Sequence, residues 1–183
     1  MAVAPPKQLS DKIKLKHFDI GSNLSRRSAY GNNKMKRNIG FWSIQGPGCL
    51  LLIYLTYAQG ISAFNYDLGV TMGTQESAEQ ISDVGAAFWY GFAFGDLVTY
   101  IPLLAMGLIG YWLSQMWGRM LLAAALGITV YWPVVCLAAV VDARGAAGWN
   151  LTGEAAYWIV LPLIVLWGAW GLWYLVRSDD CKH

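Results

Sequence analysis

Long apolar runs with almost no charge dominate the pattern along the chain, at residues 40–64, 86–113, 117–141 and 156–176. Each is long enough to cross a hydrocarbon core about 30 Å thick, which takes roughly 20 apolar residues in a helix. None shows the polar face that recurs about every 3.6 residues on a soluble helix, so the pattern argues against a soluble bundle. In lipid every backbone N–H and C=O needs an internal partner, which makes a helix the expected form of each run. Only a few residues separate the second and third runs, so these two should form an antiparallel hairpin. The expected fold is an all-α membrane protein, an up-down bundle of four transmembrane helices over residues 39–177. An N-terminal basic cytoplasmic tail, 1–38, precedes it and a short cytoplasmic C-terminus, 178–183, follows.

Charged residues make up 13% of the chain, about half the share in a soluble domain, and their placement predicts orientation. Nine of the 13 Lys and Arg precede the first run. The 1–2 connection holds Asp67, Glu76, Glu79 and Asp83 and no basic residue. The excess of Lys and Arg marks the cytoplasmic side, so both termini should face in and both longer connections out. Tryptophans at the span ends agree, since Trp favours the two interfaces: Trp42, Trp112, Trp117 and Trp173 inside, Trp89, Trp149 and Trp158 outside. No cleavable signal peptide is expected, because the first long apolar run begins only near residue 40. A bacterial cytoplasmic (inner) membrane is the expected location, with an organelle inner membrane as the alternative.

Within the tail, Lys12-Ile13-Lys14-Leu15-Lys16 alternates with period two. An extended segment would put three lysines on one side. These residues, with Arg26, Arg27, Lys34, Lys36 and Arg37, suit an anionic lipid leaflet or a partner subunit, each cation contributing about 1 kcal/mol near such a surface. The alternative is a solvated, disordered tail. Membrane lipids and other membrane subunits are the expected partners, and nucleic acid is not.

One residue breaks the apolar pattern. Asp96 is the only charged residue between Asp83 and Arg119. It lies about ten residues into the second run, roughly 15 Å from its outer end at about 1.5 Å per residue. Keeping it ionised there costs at least ~2.5–3.5 kcal/mol, so desolvation favours the neutral acid, which donates one hydrogen bond and accepts others. Thr99 and Tyr100 follow at helical spacing, and Thr129 and Tyr131 on the third run lie at comparable depth. This set is the expected intramembrane polar cluster. Asp96 would then be a helix–helix hydrogen-bond donor, a proton or cation relay, or a contact to a ligand or partner subunit. Gly91 with Gly95, and Ala123 with Gly127, are small pairs four apart that allow close helix packing.

Other chemistry is sparse. His17 and His183 lie in the tails, so no histidine is placed to ligate haem, a pigment metal or copper in the membrane. Cys49, Cys136 and Cys181 form no Cys-x-x-Cys pair, and Cys49 and Cys136 read as small apolar core residues. There is no phosphate loop, zincin motif or nucleophile elbow. Catalytic residues, metal ligands and side-chain-ligated cofactors are therefore not expected. Lipid, quinone or pigment contact remains open through packing of the deep Trp132, Trp167 and Trp170. The expected function is that of a non-catalytic accessory or scaffold subunit of a larger membrane complex, possible hosts being respiratory or photosynthetic energy-converting complexes. The alternative is a small proton, ion or solute transporter using Asp96.

Overall fold

The computed structural model describes residues 37–177. The expectations for Lys12, Lys14, Lys16, Arg26, Arg27, Lys34 and Lys36 lie outside the described residues. Among the described residues there are six helices: α1 (Ile39–Phe64), α2 (Tyr66–Thr71), α3 (Ala78–Gly95), α4 (Ile101–Trp112), α5 (Met116–Ala143) and α6 (Glu154–Arg177). A wider helical turn, Asp96–Tyr100, joins α3 to α4 without a break. Four helical stretches are long and apolar enough to span a membrane: Ile39–Phe64, Ala78–Trp112, Met116–Ala143 and Glu154–Arg177. The described residues are all-helical, and their four long apolar helices make the chain an integral, multi-pass membrane protein.

Polar side chains cap the helix starts. Asn38 Oδ1 accepts from Phe41 N at 2.9 Å and Asn65 Oδ1 from Leu68 N at 3.0 Å, each satisfying one of the free N–H groups of a first turn. Ser77 and Gln80 form a capping box, which starts α3 eight residues before the apolar run alone implies. At Ser82 the backbone leaves helical geometry (φ 68°, ψ 163°). Ser82 Oγ then accepts from Gly85 N at 3.3 Å, which caps the helix a second time.

The connection between α4 and α5 closes tightly. Gln115 N donates to Gly110 O at 2.8 Å and Ser114 N to Tyr111 O at 3.0 Å, with Ser114 at φ 58°. This is a Schellman turn, a common way to end a helix. Close helix contact follows from glycine. A Cβ on Gly107 would lie 2.7 Å from Leu122 N, and Gly110 and Gly118 face each other backbone to backbone. Further along the same pair of helices, Tyr100 meets Thr129. Residue numbers thus fall along one helix as they rise along the other.

The third and fourth spans pack through Gly168 against Thr129 and Val130, and through Gly171 against Leu126. Where the start of α5 meets the end of α6, Arg119, buried in the first turn of α5, donates from Nη2 to Leu175 O at 2.8 Å. A cation at a helix C-terminus satisfies a free carbonyl there and complements the helix dipole. Helix α6 also reaches α1, where Trp167 Nε1 donates to Ser43 O at 2.9 Å and the Tyr174 hydroxyl to Asn38 Oδ1 at 2.8 Å. Gly48 of α1 packs on Leu108 of α4.

The two longer connections are tied together. Ile81 forms a bridge with Trp149, Asn150 N donates to Gln80 O at 2.6 Å, and Gln80 Nε2 donates to Thr152 Oγ1 at 2.9 Å. Glu76 receives the Tyr66 hydroxyl on its backbone carbonyl and the Tyr157 hydroxyl on its carboxylate. At the opposite end Phe41 stacks on Tyr111, and the Arg37 guanidinium lies 4.0 Å over the Trp112 ring. This cation–π contact ties the first described residue to the end of α4.

Only 22–33% of the apolar core of each span is buried. Most residues of each span therefore keep some surface outside the chain's own core.

Candidate functional site

The candidate site forms where the regular ladder of the second span fails. Pro102 has no N–H and its ring crowds the carbonyl four residues back. One turn earlier the ladder widens, and Ile101 N donates to the Asp96 carbonyl five residues away. Such single wide turns recur at functional sites.

The turn divides the expected polar cluster. Tyr100 points into the bundle and is 1% exposed. Its hydroxyl lies 2.6 Å from Thr129 Oγ1, and Thr129 Oγ1 donates to Ala125 O at 2.9 Å. Because a hydroxyl has one proton, Tyr100 is the donor to Thr129. Gly168 of α6 covers the Thr129 side chain, so this chain of bonds lies where three spans meet.

Asp96, Thr99 and Tyr131 do not join it. Thr99 is exposed and Tyr131 is 65% exposed, on the outward side of α5. Positions two apart on a helix point in different directions, so Thr129 and Tyr131 cannot both face the hairpin. Asp96 is half-buried, and its carboxyl makes no hydrogen bond to any described residue. It lines a shallow outward groove of about 320 Å³ with Ala87, Phe88, Gly91, Phe92 and Gly95.

The small-residue pairs also sit elsewhere than expected. A Cβ at Gly91, Gly95 or Gly127 would meet nothing within 4 Å, and Ala123 is only half-buried. Close packing inside the chain uses Gly107, Gly110 and Gly118 instead. The signal for them was their place beside the short 2–3 turn, where two antiparallel helices are held closest. Arg119 is another residue the sequence hid: a charge beside a turn reads as solvated, yet it is buried on the end of α6. Cys136 is buried as expected for a small apolar core residue, whereas Cys49 is exposed. Its side of α1, with Leu50 and Ile53, faces outward.

Buried polar atoms mark a second feature. Gln45 is buried, and its Nε2 donates to Leu108 O at 3.4 Å while Oε1 has no partner. Among the described residues no group of three His, Cys, Asp or Glu is placed to hold a metal ion. Of the deep tryptophans, Trp167 is tied to α1 by its bond to Ser43 O, and Trp170 stacks on Tyr174 with ring centroids 5.5 Å apart.

Comparison with protein-family models, with characterised proteins and with solved structures gives no match for the chain.

Proposed function

We propose that the chain is a non-catalytic accessory or scaffold subunit of a larger membrane complex. The observation that carries this reading is the division of its polar groups. Tyr100, Thr129 and Arg119 are spent on bonds between helices, while Asp96 and most of the apolar surface face out, toward whatever surrounds the chain. In this reading the four spans form an up-down bundle in a bacterial inner membrane with both termini cytoplasmic. The basic tail lies on anionic lipid or a neighbouring subunit. An energy-converting complex, respiratory or photosynthetic, is a suitable host. Trp170 and the other outward aromatics would touch lipid, quinone or pigment by packing rather than ligation.

Extraction in a mild detergent, followed by native mass analysis and mass spectrometry of comigrating proteins, tests this. The expected result is migration within an assembly containing other proteins. A particle containing this chain alone would overturn it.

The wide turn favours a second reading, proton or ion transport through Asp96, because such turns are frequent at functional sites. It predicts a flux in liposomes that Asp96→Asn abolishes. A wild type without flux removes it.

A further inference from the structure

We propose that the end of the bundle where α1 begins and α6 ends holds the phosphate of an anionic phospholipid, through the guanidiniums of Arg37 and Arg177. Among the described residues an arginine lies over a tryptophan ring three times. Arg144 is 5.6 Å from the Trp158 ring, Arg37 is 4.0 Å from Trp112 and Arg177 is 4.8 Å from Trp173. The first pair has its anion: Glu154 accepts from Arg144 and, at 2.8 Å, from Trp158 Nε1. The other two have the ring and the cation without a carboxylate. No Asp or Glu occurs at 37–66, 97–141 or 155–177. Apart from Asp96, the acidic side chains of the described residues lie in or beside the two longer connections, at the opposite end.

The two pairs that lack a carboxylate are held side by side. Tyr174, three residues before Arg177, donates to Oδ1 of Asn38, next to Arg37, at 2.8 Å. Gly40 has no side chain to hold the Tyr174 ring away. Arg119, the remaining cation at this end, is used on Leu175 O. Arg37, Arg177, Trp112 and Trp173 are all exposed. A guanidinium lying on a ring face keeps its N–H donors in its own plane, where they match the oxygens of a phosphate two at a time. A span ends at the headgroup layer, the level that tryptophan favours, so the phosphate met there is a lipid's. Two cations without a carboxylate favour a headgroup of net negative charge. The site uses residues of α1, α4 and α6, so it is separate from the contact proposed for the basic tail. It does not depend on the accessory-subunit role.

Native mass spectrometry of the full chain, stripped of lipid in detergent and then given phosphatidylglycerol, tests it. Wild type is expected to retain phosphatidylglycerol in preference to phosphatidylcholine, and excess inorganic phosphate is expected not to displace it. Arg37→Gln with Arg177→Gln weakens retention by on the order of tenfold. Both side chains are exposed, so an unchanged unfolding midpoint shows that the bundle is intact. Arg37→Lys with Arg177→Lys keeps the charge but not the planar fork, and also weakens retention. Arg144→Gln, whose pair already has Glu154, leaves it unchanged. So does the tail variant Lys12→Gln with Lys14→Gln and Lys16→Gln. The proposal is overturned by equal retention of phosphatidylcholine, by displacement with inorganic phosphate, or by lysine variants that bind as well as wild type. Loss of retention in the tail variant alone overturns it too. A wild type that retains no lipid also overturns it. A gain of lipid in Asp179→Asn with Asp180→Asn would then assign the two arginines to the carboxylates that follow Arg177 in the sequence.

Discussion

The Tyr100 hydroxyl lies 2.6 Å from Thr129 Oγ1, and this bond joins the second and third spans at a point where the fourth covers it. Tyr100→Phe removes the donor and leaves Thr129 bonded to Ala125 O. The expected loss of stability is about 0.6–1.7 kcal/mol, the range for a hydrogen bond between membrane helices. A double-mutant cycle with Thr129→Val, read by reversible unfolding in detergent, isolates the pair; additive losses would show that the two do not interact.

Gly110 and Gly118 should be the least tolerant small residues. A side chain at either meets backbone of the other helix, which cannot move aside as a side-chain tip does. Gly110→Val is expected to destabilise by about 1–3 kcal/mol, the usual cost of overpacking. Gly127→Ala, with open space around it, is expected to stabilise slightly, since alanine is the better helix former. Thermal unfolding of the two variants beside wild type checks the contrast.

One of the three readings of Asp96 had it hold helices of one chain together. Since its carboxyl bonds to no described residue, Asp96→Leu in a monomeric, detergent-solubilised chain should cost less stability than Tyr100→Phe. A larger loss would mean that Asp96 carries a contact inside the protomer.

Outside the spans, burial and the Glu76 carboxylate push the Tyr66 phenol up to about 12. The unfolded chain titrates its tyrosines near 10, so the folded protein holds this proton more tightly. The contribution to stability is full below pH ~10 and is lost as the pH rises from about 10 to 12. Unfolding midpoints across that window should fall more steeply for wild type than for Tyr66→Phe. Equal slopes would remove Tyr66 from the alkaline transition.

Much of the fold was legible because each span is marked by the same chemistry. The runs at 40–64, 117–141 and 156–176 fall within two residues of α1, α5 and α6 at each end. The second span was the exception. Its helix begins at Ala78, because Ser77 and Gln80 cap it in a polar stretch that hydropathy does not register. The candidate cluster was legible in depth but not in direction. Asp96, Tyr100 and Thr129 share a level, yet the wide turn ahead of Pro102 separates Asp96 from the other two.

The sequence by itself determined how many helices of the described residues are long and apolar enough to cross a membrane, and roughly where they lie. Backbone in hydrocarbon must bond to itself, and a run of apolar residues of the right length has little alternative to a helix. Tertiary structure alone decided which face of each span turns inward. Lipid is as apolar as the interior of the bundle, so hydrophobicity does not distinguish the two sides of a span. Packing against backbone chose Gly107, Gly110 and Gly118 over Gly91 and Gly95, and left Asp96 on the outward side.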